Sequence, residues 1–380
     1  MNNSFDDIRP YRNDEIAEAM HRIAGNNMLP VLAGFVFPEK TLDEVRDLLR
    51  SIDNIYDFQS KVMYVANRRI IENSIAEFTF SGLEHIDKEA RYVYMSNHRD
   101  IMLDASLLQN VLLDNGMDTT EITFGANLMQ GGLVIDIGKS NKMFKVERPG
   151  SGMREFYKAS EHLSEYIRHT ITDKRQSVWI AQRNGRTKDG LDRTDQGIIN
   201  MLRMSGDCDK ARALSELNIL PMAVSYEWEP CDILKTLELY ARSQGPYVKK
   251  EGEDLNSILT GIVQPKGRVH FQICEPISED ELFQLAGLSS NEFNKQAAYL
   301  IDCRIWSEYR LWPNNYIAYD LLHQTSDYAD HYTQSQKETF IDYMHKLDQY
   351  AAVADQGTLR EIFLGIYANP VKCAKIIREQ

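Results

Sequence analysis

Short apolar or alternating segments recur through the middle of the chain, and stretches with helical spacing lie between many of them. Each short segment has the length and the β-branched or aromatic content that is typical of a strand. The segments cover residues 77–81, 91–95, 121–125, 143–147, 176–182, 219–226 and 267–274. The helical patterns between them cover residues 100–115, 151–172, 193–204 and 209–217. Strands that alternate with helices predict an α/β fold with a mixed, largely parallel sheet flanked by helices.

The two ends of the chain follow the helical pattern alone. This pattern covers residues 13–26, 41–52 and 57–76 before the strands, and residues 278–304 and 333–380 after them, with expected breaks at Gly357 and Asn369-Pro370. The apolar run 28–37 is broken by Pro30 and Gly34, and we expect a core-facing loop there, with a lipid-touching surface as the alternative. The sequence therefore predicts three parts: a helical N-terminal extension (1–76), an α/β core (77–277) and a helical C-terminal region (278–380) packed on that core.

Composition narrows the class of protein. With 380 residues, 43% hydrophobic and 26% charged, the chain has an ordinary globular composition and can bury a large core. A net charge of −13 argues against nucleic-acid binding, which needs a positive face. The five cysteines are scattered without a CxxC pair, which predicts neither a zinc site nor a disulfide scaffold and fits a reducing cytosol. The polar, acidic N-terminus does not resemble a signal peptide. We therefore expect a cytoplasmic protein, with at most peripheral contact at the inner face of a membrane.

The segment 91–108, RYVYMSNHRDIMLDASLL, carries the candidate chemistry. Its first part reads as a buried strand and its last part as a helix, so that His98 lies at the turn between them. Asp100 and Asp104 lie on or next to the first turns of that helix. A carboxylate beside a histidine fixes the imidazole tautomer and stabilises the imidazolium, which general-base catalysis requires. Helix capping is the alternative role for such a pair, because Asp is favoured at helix starts.

The triplet His98-Arg99-Asp100 also matches the start of a protein-kinase catalytic loop. That loop needs an Asn five residues after its Asp, and this chain has Ala105 there. A glycine-rich phosphate loop followed by a lysine-bearing strand is also missing upstream. The kinase interpretation is therefore rejected.

Basic residues are dense between 139 and 193 despite the acidic total. Arg148 follows one predicted strand, and Arg183, Gly185, Arg186 and Lys188 follow another. Arginine binds phosphate through a forked pair of donors, and glycine lets backbone N–H groups approach an anion. The two loops are therefore candidate anion sites. A solvated turn is the alternative for each loop, because these residue types also favour turns and surfaces.

In this order, four sequence blocks resemble those of the glycerophospholipid acyltransferase superfamily, over roughly residues 77–277. The blocks are Ser96-Asn97-His98 with Asp104, then Phe144 to Arg148, then Gly185-Arg186-Thr187, and finally the apolar strand Leu220-Pro221-Met222-Ala223-Val224. The superfamily includes glycerol-3-phosphate and 1-acylglycerol-3-phosphate acyltransferases.

The chain departs from the family pattern in three blocks. The second block has one residue more between the aromatic residue Phe144 and Arg148 than the family pattern. Five residues separate His98 from Asp104, one more than in the family, and one extra residue turns a helical side chain by about 100°. Asp104 would then miss His98 unless the turn is looser, which leaves Asp100 as the rival partner. The family's third block has a Glu before the glycine, where this chain has Arg183 or Asn184. A catalytically inactive lipid- or acyl-carrier-binding protein of the same fold, or an amino-acid lipid acceptor, therefore stays an alternative.

The resemblance implies an O-acyltransferase of phospholipid biosynthesis. His98 would be the general base, oriented by Asp104 or Asp100. The donor would be acyl-carrier protein or coenzyme A carrying the acyl group as a thioester, and the acceptor a hydroxyl of glycerol 3-phosphate or 1-acylglycerol 3-phosphate. Arg148 and Arg186 would bind the acceptor phosphate, with Arg183 and Lys188 nearby and backbone N–H groups near Gly185 or the helix start facing the oxyanion. The resemblance implies no metal and no further cofactor.

Overall fold

A seven-stranded sheet forms the centre of the computed structural model, which describes residues 5–147 and 152–379. The strands are β1 (Glu77–Ser81), β2 (Val93–Ser96), β3 (Glu121–Gly125), β4 (Met143–Val146), β5 (Val178–Ala181), β6 (Ile219–Tyr226) and β7 (Arg268–Ile273). Their order in the sheet is β1-β7-β6-β2-β5-β3-β4. Neighbours are parallel throughout, except for the antiparallel pair β6–β7. The predicted mixed, largely parallel sheet is confirmed, and a strand lies in each of the seven predicted segments.

Helices precede the sheet, connect its strands and follow it. The first group is α1 (Asn13–Ala24), α2 (Leu29–Val36), α3 (Leu42–Arg50), α4 (Ile55–Phe58) and α5 (Tyr64–Ser74), with a π-helical turn at Gln59–Met63. The connecting group is α6 (Leu103–Asp114), α7 (Gly132–Ser140), α8 (Met153–Thr172), α9 (Gln196–Arg203), α10 (Lys210–Ser215), α11 (Asp232–Gln244) and α12 (Glu253–Val263). The last group is α13 (Glu279–Gln284), α14 (Ser290–Glu308), α15 (Pro313–His323), α16 (Gln334–Met344) and α17 (Gln356–Arg378). None of the helices in 5–147 and 152–379 is long and apolar enough to cross a bilayer.

Alternate residues of the central strands enter two cores on opposite faces of the sheet. Val93 and Ile180 lie in the core shared with α8, α9 and α14, whereas Tyr94 and Trp179 lie in the core shared with α6. This alternation follows from the period of two along a strand. The helices α1–α3 form a separate cluster, as do α15–α17. The division of the chain after residues 76 and 277 stays a proposal.

Two sequence expectations about local structure are wrong. Residues 28–37 form the helix α2 rather than a loop, because Pro30 lies in its first turn, where a missing N–H costs nothing. The expected break at Asn369-Pro370 is also missing, since α17 continues through Pro370. Pro370 cannot donate a hydrogen bond to the carbonyl of Ile366. The carbonyl of Ile366 instead lies against Gly190 in the turn that follows β5. This packing supports the helix at the point where its hydrogen-bond ladder is interrupted.

The contact between α17 and this turn can be tested with two glycines. Gly190 (φ +77) and Gly116 (φ +64) both adopt the left-handed conformation, but a Cβ at Gly190 would lie 2.1 Å from the carbonyl oxygen of Ile366, whereas one at Gly116 would have no neighbour within 4 Å. Both alanine variants suffer the same backbone strain. We therefore expect Gly190→Ala to lower the free energy of unfolding by about 1–3 kcal/mol more than Gly116→Ala. Urea denaturation measures the difference, and equal losses would show that α17 yields without cost.

Candidate active site

The loop 97–102 joins β2 to α6 and carries His98. The five mutually parallel strands β2 to β6 end at one edge of the sheet, where sites form in α/β folds. The helix begins at Leu103 rather than at residue 100, because the carboxylate Oδ1 of Asp100 accepts hydrogen bonds from the backbone N–H groups of Met102 and Leu103, both at 2.9 Å. The loop is therefore held open in a non-helical conformation around His98.

The carboxylate of Asp104 is completely buried beneath this loop. Its Oδ2 atom lies 2.9 Å from His98 Nδ1 and accepts from the backbone N–H groups of Arg99 (2.6 Å) and Asp100 (2.9 Å). Its Oδ1 atom accepts from the hydroxyl of Tyr226, at 2.8 Å, from the end of β6. Four hydrogen bonds thus fix the carboxylate, and the carboxylate in turn fixes the imidazole.

The extra residue between His98 and Asp104 does not separate them. The rotation by 100° would apply only if both residues lay on the helix, and the open loop absorbs the additional residue. Asp100, the rival partner, instead caps the helix start with Oδ1. Its Oδ2 is buried and has no hydrogen-bond partner in the described part of the chain. Burial, together with the neighbouring carboxylate of Asp104, raises the pKa of Asp100.

The imidazole of His98 faces a cavity of about 820 Å³. Its side chain is 12% exposed, and the ring of Trp179 meets it edge-on at a centroid distance of 5.6 Å. Because Nδ1 binds Asp104, Nε2 is the nitrogen that is available to take a proton from a bound molecule. The hydrogen on Nδ1 is assigned from its contact with the carboxylate of Asp104.

The cavity combines an apolar and a charged lining. Its apolar residues come mainly from β4, α8 and α9 and include Met143, Val146, Phe156, Leu163, Ile198, Met201 and Met204. Its charged residues come from the end of β4, the segment 183–195 after β5 and the segment 232–254, and include Glu147, Arg183, Arg186, Lys188, Asp189, Asp195, Arg242, Lys249 and Asp254. Its volume is that of a small-molecule site. The arrangement suits an amphiphilic ligand with an acidic head.

The turn after β5 brings four of the predicted binding residues to the cavity. Arg183, Gly185, Arg186 and Lys188 all line it. A backbone hydrogen bond of 2.7 Å from Thr187 N to the carbonyl of His98 ties this turn to the histidine loop.

The four residues differ in how they are held. Arg186 is 8% exposed, and its Nη1 has no hydrogen-bond partner among residues 5–147 and 152–379. Lys188 forms an ion pair with Glu238. Arg183 donates weakly to the carbonyl of Leu191, at 3.4 Å. The fifth predicted binding residue, Arg148, lies outside the described residues.

Sequence reasoning missed the buried charges beneath the histidine loop. Arg99 forms ion pairs with Asp192 and Glu229, and Lys235 pairs with Glu229. The Lys235 ammonium also donates to the carbonyl of Arg99, at 2.7 Å. Arg99 was visible in the sequence only as part of a rejected kinase motif, and its partners lie about 90 to 140 positions away. The identity of the pairs therefore had no local sequence signal. Tyr226 was not singled out in the sequence either.

The C-terminal helices reach this charged cluster. Trp306 of α14 donates to the carbonyl of Asp192. The hydroxyl of Tyr367 in α17 accepts from Glu229 N at 3.1 Å and donates to Asp232 Oδ2 at 2.6 Å. Asn369 donates to the carbonyl of Asp189, at 2.6 Å. Residues far outside the predicted core thus support the floor of the site.

Within residues 5–147 and 152–379, no group of three or more His, Cys, Asp or Glu side chains is placed to bind a metal ion.

Residues 77–225 match the model of the family described as Acyltransferase. This match supports an acyltransferase. The acyltransferase segment contains β1 to β6, His98, Asp104 and the turn after β5. Among solved structures, the crystal structure of the 1-acyl-sn-glycerophosphate (LPA) acyltransferase PlsC from Thermotoga maritima is similar, with 14% sequence identity, a TM-score of 0.38, and coverage of 76% of this chain and 95% of that chain. Comparison with proteins of curated function gives no match.

The geometry predicts different effects for the two aspartates. Asp104→Asn should lower the acyl-transfer rate by about 10²–10⁴-fold, because an amide no longer holds the productive imidazole tautomer. Asp100→Asn should retain most of the rate, since an amide oxygen also accepts the two hydrogen bonds that cap α6. Initial rates of the two purified variants are compared with wild type. A larger loss for Asp100→Asn would contradict the assignment of Asp104 as the partner of His98.

Proposed function

We propose that this acyltransferase moves a fatty acyl group from a thioester donor to a hydroxyl of glycerol 3-phosphate or 1-acylglycerol 3-phosphate. The hydrogen bond between His98 and buried Asp104, at the wall of a cavity that is apolar on one side and cationic on the other, carries the proposal. The donor is acyl-carrier protein or coenzyme A in thioester form. The protein acts in the cytoplasm, with peripheral contact at the inner face of the membrane.

His98 performs the proton transfers. Nε2 takes the proton of the acceptor hydroxyl as its oxygen attacks the thioester carbonyl, and Asp104 stabilises the resulting imidazolium through Nδ1. When the tetrahedral intermediate collapses, the carbon–sulfur bond breaks and the leaving thiolate takes the proton from His98. The new ester and the free thiol are the products, and no covalent acyl-enzyme is needed.

The oxyanion of the tetrahedral intermediate needs hydrogen-bond donors. The sequence offered two sources, the start of α6 and the turn near Gly185. Carboxylates already engage the backbone N–H groups of Arg99, Asp100, Met102 and Leu103 at the helix start. This occupancy favours the turn near Gly185 as the source of the donors.

The two linings of the cavity suit the two parts of the substrates. The apolar section from β4, α8 and α9 accommodates the acyl chain. Arg183, Arg186 and Lys188 bind the acceptor phosphate together with Arg148. Arg186 supports this role, because a buried guanidinium nitrogen without a partner gains a charge-assisted hydrogen bond when an anion binds.

A labelled acyl-transfer assay tests the proposal. Wild type, His98→Ala and His169→Ala are offered long-chain acyl-carrier protein and acyl-coenzyme A against glycerol 3-phosphate, 1-acylglycerol 3-phosphate and a hydroxyacyl amino-acid lipid. His169 is the matched control, because its Nδ1 also contacts a carboxylate, Asp173, at 2.7 Å, but on the exposed surface of α8. We expect His98→Ala to lose about 10²–10⁴-fold in rate and His169→Ala to lose none.

Near-normal transfer by a folded His98→Ala protein would refute the general-base role. Binding of donor without transfer to any acceptor would favour an inactive binding protein. Transfer to the amino-acid lipid alone would keep the class and replace the acceptor.

A further inference from the structure

The segment 227–267 inserts between β6 and β7 and lies outside the residues that match the acyltransferase family. It nevertheless contributes Leu239, Arg242, Lys249 and Asp254 to the wall of the cavity that contains His98. The structure thus builds one side of the site from residues that the family motifs do not include.

Arg242 is the cation that α11 presents there. Its guanidinium donates to Glu238 Oε1 through Nε (3.1 Å) and Nη2 (2.8 Å), and it lies 5.5 Å from the centre of the Tyr247 ring. The same Glu238 oxygen accepts from Lys188 of the turn after β5. One carboxylate therefore holds two cations from different elements beside each other.

The three side chains differ in exposure. Glu238 is 7% exposed and Lys188 is 19% exposed, whereas Arg242 is 51% exposed and open to the cavity. Burial lowers the pKa of Lys188, although Glu238 opposes this shift. Glu238 is thus the shared counter-ion of the two cations.

The helix that carries Arg242 is rigidly held. Lys235, which precedes Arg242 on the same helix, is fully buried and donates to Glu229 and to the carbonyl of Arg99. Asp232, at the start of α11, accepts hydrogen bonds from Tyr343 and Tyr367. A side chain on such a helix is preorganised, which reduces the entropic cost of binding a ligand.

Charge balance indicates the ligand. Arg183, Arg186, Lys188 and Arg242 are four cations of the cavity lining, and Glu238 pairs with two of them. The carboxylates of the lining itself are Glu147, Asp189, Asp195 and Asp254. Lys249 and Asp254 pair with each other and add no net charge. Four guanidinium or ammonium groups that line one cavity suit a phosphate monoester, which carries about −1.5 to −2 at pH 7, better than a single carboxylate.

We propose that Arg242, held with Lys188 on Glu238, completes the acceptor site from α11 and selects acceptors that carry a phosphate monoester. This inference rests on the proposed function for its acceptor, but not on catalysis by His98. It assigns to an insertion outside the family motifs the choice between phosphate-bearing and other acceptors.

Equilibrium titration of the full-length protein tests this selection without turnover. The probes are sn-glycerol 3-phosphate, glycerol and an N-(3-hydroxyacyl)glycine. The proteins are wild type, Arg242→Gln, Glu238→Gln and the control Arg212→Gln, whose arginine is 64% exposed on α10 and does not line the cavity. We expect Arg242→Gln to raise the Kd of glycerol 3-phosphate about tenfold, since a charge-assisted hydrogen bond is lost, and Arg212→Gln to leave it unchanged.

Glu238→Gln separates ligand binding from a purely structural ion-pair network. Removing the carboxylate increases the positive charge available to phosphate, so we expect the Kd of glycerol 3-phosphate to fall. If the ion pairs of Glu238 only held the fold together, both Arg242→Gln and Glu238→Gln would bind glycerol 3-phosphate more weakly. That result would overturn the proposal. So would equal Kd values for Arg242→Gln and Arg212→Gln, or tighter binding of the glycine-based carboxylate than of the phosphate.

The two proposals fail in different ways. If His98→Ala keeps its activity while Arg242→Gln still weakens phosphate binding, the mechanism is wrong and the anion site stands. If His98 is essential and Arg242→Gln binds glycerol 3-phosphate like wild type, the function stands and the role of α11 is refuted.

Discussion

The buried carboxylate of Asp104 is the constraint on which the rest of the site depends. Its four donors come from a side chain across the loop, two successive backbone groups of the loop and a tyrosine at the end of β6. A carboxylate is costly to bury unless its oxygens are satisfied. The buried carboxylate of Asp104 receives its hydrogen bonds from the protein. It therefore determines both the conformation of the histidine loop and the position of that loop against the central strand.

The cluster of two cations and two carboxylates beneath the loop extends this constraint to the C-terminal helices. A buried ion pair adds little stability by itself, but loss of one member leaves an uncompensated charge and costs about 3–5 kcal/mol. Arg99 is the member that connects both layers, since its backbone N–H binds Asp104 and its side chain binds Asp192 and Glu229. Helices outside the acyltransferase segment thus support the site through charges rather than through apolar packing alone.

The seven strands were predictable, as were the positions of His98 and of residues 183–188 after strand ends, because strand periodicity and polar residues at strand ends are local signals. The partner of His98 was not, since it depends on where α6 begins, and two backbone hydrogen bonds to Asp100 accompany a start three residues later than expected. Arg242 was missed for another reason: it lies in a helix without any recognised motif, and only tertiary structure brings it beside Lys188. Continuity of α17 through Pro370 likewise depends on a neighbour that the sequence does not reveal.

The pairing of β1 with β7 has a consequence for how the molecule is made. Glu77 of β1 lies opposite Arg268 of β7. Strand β1 is the first to be synthesised, and it cannot pair with β7 until more than half of the chain has followed it. The turn after β5 depends on a segment that is synthesised later still, because it contacts α17 near the end of the chain. Domains generally fold as units during synthesis, and long-range pairing is slow. Nascent chains therefore expose the unpaired edge of β1 while about half of the chain is synthesised, and chaperone demand should be greatest before β7 emerges.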